Sequence, residues 1–252
     1  MVLDAVDPEE QHMPQRDQPS PVWDRPEPPD KPALTPLSRE KIVRTAIALA
    51  DAEGLPAVSL RKVAAALDAG PMRLYGYLST KEELLDLMVD AVYGEIVATE
   101  PPSGDWRAVL RESGLRMREA TLRHEWFVDL LGGRPQLGPN VLTHLESLLS
   151  AVDGSPGFDH IDKAMEALHA VNSYVVGALR SEITEARAER RTGDDEQRWQ
   201  NANAPYLMRM LKTGNFPALT KVVADATHPG RTVRFTDGLR IVLAGIEASL
   251  AK

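Results

Sequence analysis

The sequence predicts an all-α protein, with an N-terminal three-helix helix-turn-helix domain and a larger helical domain after it. Three observations lead there. From Leu37 onward, apolar residues recur at helical spacing and few runs alternate with period two. Two short helices with a tight break between them follow a longer bracing helix. Beyond Pro101-Pro102-Ser103-Gly104, longer amphipathic segments fill the remainder of the 252 residues.

Residues 1–37 stand apart. They contain nine of the 19 prolines, eight acids and three bases, and only scattered apolar side chains. That composition predicts a disordered acidic tail. It is either a dispensable extension or an acidic arm that competes with DNA for a basic face.

The elements follow in order. Helix 1 is expected at about 38–53, with Ser38 as N-cap and Leu37 placed to staple onto Ile42. Ile42, Ala46, Leu49 and Ala50 form its apolar stripe, and Gly54 follows its last turn. Helix 2 is capped by Ser59 and buries Leu60, Val63, Ala64 and Leu67, with Val58 and Val63 as a second staple. Asp68-Ala69-Gly70 breaks the pattern, and Pro71 sits where a first-turn proline costs nothing. Helix 3 is short, about 71–77. Thr80 and Glu83 form a capping box that opens helix 4, which runs to about Thr99. Further segments are expected near 105–123, 125–131, 138–152, 159–190, 195–212, 216–226 and 235–251. Domain boundaries follow: tail 1–37, helix-turn-helix 38–84, and a helical unit over 85–252.

Composition narrows the function. Cysteine is absent, which excludes disulfides and cysteine-ligated zinc and fits a reducing cytoplasm. No apolar run is long enough to span a membrane, and the acidic start does not resemble a secretory signal. The net charge of −8 argues against indiscriminate nucleic-acid binding by the whole surface. Residues 38–81 nevertheless hold seven bases and four acids. Basic charge therefore collects where the helix-turn-helix lies. No Ser-His-Asp set, paired-carboxylate spacing or phosphate-cradling glycine loop stands out, so nothing points to an enzyme.

Within the motif, Ala64, Ala65 and Ala66 allow close packing of helix 3, and Gly70-Pro71 turns its first turn outward. Met72, Arg73, Gly76 and Tyr77 are expected at the exposed face, with Tyr75 on the flank. Arg73 can donate a fork of hydrogen bonds to guanine, worth ~1–3 kcal/mol against a wrong base. Ser59, Tyr75, Tyr77 and Lys81 suit phosphates, which set register.

Val58-Ser59-Leu60-Arg61-Lys62-Val63-Ala64 and Leu74-Tyr75-Gly76-Tyr77-Leu78-Ser79-Thr80-Lys81-Glu82-Glu83-Leu84-Leu85 resemble the DNA-binding domain of the TetR family of repressors. The resemblance implies that Arg61, Gly70, Pro71, Met72, Arg73, Tyr75, Tyr77 and Lys81 occupy DNA-contact positions. Gly70 and Gly76 depart from the large side chains of some members, so base preference does not carry over. Leu131-Gly132-Gly133-Arg134-Pro135 and Val171-Asn172-Ser173-Tyr174-Val175-Val176-Gly177 are similar to the tetracycline-repressor type of C-terminal domain. That likeness implies a ligand-binding and dimerisation domain. Arg134 would border the ligand pocket, and the Tyr174 helix would join the last helix in a four-helix dimer bundle. The family's metal-binding histidine falls at Leu130 and its second acid near Ser181, which argues against a tetracycline–magnesium inducer.

Met117, Trp126, Leu130, Leu145, Met165, His169, Asn172 and Val176 are the further candidates to line a cavity, the alternative being a plain helical core. His124, His144, His160 and His169 lack metal-ligand spacing, so no metal and no cofactor is expected. The partners implied are double-stranded operator DNA, a small hydrophobic effector and a second copy of the chain. The function expected is a repressor that the effector releases. The alternatives are a regulator governed by a protein partner, or an activator.

Overall fold

A computed structural model of the chain describes residues 20–28, 37–97, 105–133 and 136–251. Among these, ten α-helices form and no strand does. They are α1 (Arg39–Glu53), α2 (Leu60–Ala66), α3 (Pro71–Leu74), α4 (Lys81–Ile96), α5 (Trp106–Arg123), α6 (Pro139–Val152), α7 (Ile161–Thr192), α8 (Glu196–Leu211), α9 (Pro217–Asp225) and α10 (Arg231–Leu250). A 3-10 segment, Glu125–Leu130, joins α5 to the loop before α6.

The expected caps form. Ser38, Ser59 and Thr80 accept from the backbone N–H three residues on, at 3.2 Å in each case. Gly54, at φ +82°, closes α1. The exit from α2 falls in the expected Asp68-Ala69-Gly70 break. The left-handed residue is Asp68, at φ 50°, and the Ala69 N–H returns to the Ala64 carbonyl at 2.9 Å. An aspartate tolerates that conformation, which leaves Gly70 free to act as the extended N-cap of α3. The recognition helix is therefore one turn, ending at Leu74 rather than at Tyr77.

One apolar core runs through the whole body. Val22 and Leu37 belong to it, as do Ile42, Leu74 and Leu84 in the head and Leu110, Phe127, Leu179 and Leu239 further on. The tail expected to lack structure through residue 37 is thus corrected over 20–28. Val22 is 4% exposed, because an apolar side chain within reach of the α1–α4 surface lowers its free energy by leaving water. The rest of the tail up to residue 36 lies outside the described residues.

α4 runs unbroken across the expected boundary at residues 84 and 85, so the two units share a helix. Its buried side chains, from Leu84 through Met88 and Val92 to Ile96, point in several directions because it packs on α1, α5 and α6 together. Asp90 stands out among them, only 4% exposed. Its carboxylate accepts from the backbone N–H of Asn140 at 2.9 Å, from that of Val141 at 3.1 Å, and from the Asn140 side-chain amide at 2.9 Å. It thus caps the start of α6 from a different helix. Burial pushes its carboxyl above the usual aspartate range against the pull of those hydrogen bonds. Gly138 is required beside it, since a Cβ there would lie 2.2 Å from Asp90 Oδ1.

Asp90→Ala should take the acceptor from two half-buried backbone N–H groups, leave the Asn140 amide only its bond to the Asp90 carbonyl, and lower stability by about 1–3 kcal/mol. Urea unfolding measures it; a loss near zero would mean that α6 holds its place without the cap.

Candidate functional site

Two regions collect the residues that the sequence singles out. The first is the tip of the helix-turn-helix. Met72 is 80% exposed, and Pro71, Arg73, Tyr75 and Gly76 are exposed beside it. Gly70 and Arg61 are exposed, while Ser59 and Lys81 are half-buried at the starts of α2 and α4. Ser59 Oγ is engaged as a cap, leaving a lone pair outward. Tyr77 departs from expectation. It is 8% exposed, and its hydroxyl donates to the Leu37 carbonyl at 2.6 Å. A phenol that finds a backbone acceptor in the core gains packing and hydrogen bonding together. Tyr77 therefore ties the recognition turn to the start of α1 and does not offer its hydroxyl to DNA. Arg39 adds to that tie, donating to the Tyr77 carbonyl through Nη2 at 3.3 Å.

At the start of α4, Glu83 reaches back to the Ser79 N–H at 2.6 Å, one residue earlier than the usual reciprocal bond of a capping box. Burial draws its carboxyl upward, but that bond and the Arg25 guanidinium outweigh it and hold Glu83 below the usual glutamate range.

The second region is a cavity of about 40 Å³ among α5, α6 and α7, lined by residues that include Leu110, Met117, His144, Leu148, Val171 and Asn172. Met117 and Asn172 were expected there. The other candidates lie elsewhere. Trp126, 2% exposed, donates from its indole N–H to Asp51 of α1 at 2.7 Å, so it serves the joint with the head. Leu130 and Val176 are half-buried against the core. Leu145 and Met165 are exposed, and exposed His169 faces Ser173 on α7. Arg134 lies outside the described residues. The cavity also takes Ser113, Gly114, Leu168 and Val175, which are not among the residues that the sequence singles out. Their signal was present in Ser113 and Gly114, small residues on the inner face of α5.

His144 is the titratable residue among the cavity's polar lining, which also includes Ser113 and Asn172. Ser113 Oγ and His144 Nε2 lie 3.4 Å apart, and burial lowers the imidazole to about 4. It is therefore neutral at physiological pH, able to accept or donate one hydrogen bond. The other three of the four candidate histidines are dispersed. His160 caps α7, His169 lies on its surface, and His124 sits at the joint.

The joint connects cavity and head. His124 Nδ1 is 2.9 Å from Asp51 Oδ1 of α1, and its Nε2 is 3.2 Å from Glu95 Oε1 of α4. Aromatic contacts continue inward. Trp126 stacks edge-on to Phe127 at 6.2 Å between centroids, Phe127 to Tyr93 at 5.6 Å, and Tyr93 lies 5.4 Å from His144. Arg187 braces the same segment from α7, donating to Asp129 at 2.8 Å and to the Glu125 carbonyl at 2.8 Å.

The sequence model of the tetracyclin repressor-like C-terminal domain matches residues 98–250, more than half of the chain. The chain belongs to the TetR family. It is 34% identical over 235 residues to the HTH-type transcriptional repressor DrrR1 of Streptomyces coeruleorubidus, covering 92% of this chain and 85% of that one. It is 26% identical over 217 residues to the class C tetracycline repressor of Escherichia coli, covering 85% of this chain and 92% of that one. Among solved structures, apo ActR from Streptomyces coelicolor superposes with a TM-score of 0.72 at 29% identity, covering 87% of this chain and 99% of that one. ActR in complex with actinorhodin gives 0.71 at 29% identity, covering 84% of this chain and 96% of that one. This TetR-family chain is thus all-helical and related to transcriptional repressors, some of which hold small molecules.

The lowered His144 value sets a pH dependence. Its folded-state pKa lies below the unfolded one, so the fold is fully favoured above the ordinary histidine range. It loses stability as pH falls from about 6.5 towards about 4. Urea unfolding across that window should show wild type weakening with a slope approaching ~1.4 kcal/mol per pH unit. His144→Gln should remove that component; equal slopes in both proteins would place a charged imidazole in the fold.

Proposed function

We propose that this chain is a homodimeric repressor that grips palindromic operator DNA and lets go when a small hydrophobic effector fills the cavity. One observation carries the reading. A single helix, α4, begins with Lys81 beside the recognition turn and, about two and a half turns later, caps a wall of the cavity through Asp90. Any guest that displaces α6 therefore pulls on the helix that orients the head. The exposed Met72, Arg73 and Tyr75 supply the reading edge, with Arg73 on guanine and Lys81, Ser59, Arg61 and Tyr75 near phosphates.

The dimer is supported by α7 and α10, which pack together yet leave Ile161, Met165, Val233 and Ile241 exposed. Apolar side chains collected on two neighbouring helices mark a surface that a partner covers. Two heads must then sit ~34 Å apart, one turn of B-DNA, to read a palindrome. The effector shifts that spacing only by its differential affinity for the two arrangements. The neighbouring ActR, solved with actinorhodin, supports a small-molecule site in this domain. No helix among the described residues is long and apolar enough to cross a membrane, in keeping with a cytoplasmic regulator.

A second reading, a DNA-binding regulator without an effector, draws on the cavity volume of about 40 Å³. Drug-sized sites occupy ~300–1,000 Å³, so a guest has to open this one. Mass spectrometry of small molecules that co-purify with the protein and release operator decides between the two readings.

Selection from a random DNA pool tests the main reading. A palindrome with half-sites one turn apart is expected, and Arg73→Ala should relax one base position in each half. Unchanged site preference in that variant removes Arg73 from base reading. Lys81→Ala should weaken all sequences alike and reduce the slope of log K against log salt by about 0.9 per head. A sequence-selective loss there contradicts the phosphate role.

A further inference from the structure

We propose that residues Ser20–Pro28 are a working part of the reading head, with Arg25 as a positioning residue for the recognition turn. The inference rests on the DNA-binding reading above.

The recognition helix cannot hold its own position. It has four residues and no side-chain N-cap bond. Isolated helices shorter than ~12–15 residues are marginal in water, so tertiary ties must fix this one. Leu74 anchors it below. The arm supplies ties at the edge that continues into the reading face.

Arg25 donates to Ser79 Oγ at 2.6 Å and pairs with Glu83. Arg39 donates to the Arg25 carbonyl at 3.0 Å and, with the same nitrogen, to the Tyr77 carbonyl at 3.3 Å. Glu27 accepts from the Arg39 N–H at 3.3 Å. Two guanidiniums thus bridge the arm, the start of α1 and the segment from Tyr77 to Glu83. Pro28 closes the contact. A Cβ at Gly76 would meet Pro28 Cγ at 3.2 Å and the Arg73 carbonyl at 3.4 Å. Gly76 has an ordinary backbone, so its value here is the close approach of the arm.

The arm's charge argues for holding the turn in place and against touching phosphate. Asp24 and Glu27 are exposed, whereas Arg25, the one base of the segment, is turned inward onto Glu83. A segment with two outward acids gains nothing from a phosphate backbone. Val22 in the core and Trp23 packed against it provide the anchor.

The test uses the full chain, an operator selected by the wild type, and a duplex of unrelated sequence. Arg25→Ala should weaken operator binding about tenfold and leave the unrelated duplex and the salt slope unchanged. Arg25→Lys should recover part of the loss. Val22→Asp, which expels the anchor, should reproduce Arg25→Ala and add little to it, because both act through one contact. Parallel losses on both duplexes, or operator binding as tight as wild type or tighter, overturn the proposal. Should the wild type select no site, the DNA-binding reading fails. Amide hydrogen exchange at Gly76–Ser79 then still judges the brace: faster exchange in Arg25→Ala is expected, and unchanged exchange refutes it.

Discussion

A buried carboxylate must be satisfied on every side or expelled, and Asp90 meets that demand with the first amides of another helix. Much of the architecture depends on that bargain. α6 has only one fully buried side chain, Val152, so its apolar face alone does not fix it. The hydrogen bonds that Asp90 accepts set where it starts and, through Gly138, how closely its loop approaches α4. Because the same α4 packs against α1 in the head, one carboxylate fixes the distance between the head and the α6 wall.

The second connection, through Asp51, His124 and Trp126, is of another kind. It is polar at the head and aromatic towards the interior, ending on Tyr93, whose phenol burial pushes up to about 12. Both ring nitrogens of His124 lie within hydrogen-bond reach of carboxylates, so one imidazole links α1 to α4. The head is thus attached by two joints on different elements, one at mid-α4 and one at the end of α5.

The helices were legible because their signals are local. Caps at Ser38, Ser59 and Thr80, and breaks at Gly54 and Gly193, announce helix ends without reference to the rest of the chain. The start of α10 was set four residues late, at 235 instead of Arg231, because no side chain caps it. What sequence could not reveal depended on contacts distant in the chain. Tyr77 reads as an exposed polar aromatic until Leu37 is found beneath its hydroxyl. Val22 and Trp23, isolated among prolines and acids, carry no periodicity that would place them in a core. Trp126 fitted an apolar face but answered to Asp51, 75 residues away. The cavity was half found for the same reason. Met117 and Asn172 follow helical spacing, whereas His144 joins them only once α6 is docked.

Gly114 has a consequence for how this family member can diversify. A Cβ at that position would press on Leu239 at 2.9 Å and on Val175 at 3.3 Å, so α5, α7 and α10 meet there without slack. That side of the chamber is a fixed floor, and any mutation tolerated on it must be small. The opposite side is lined by α6, which presents the half-buried Leu148. Changes in what the chamber accepts are therefore more readily made on α6 than on the seam of α5, α7 and α10.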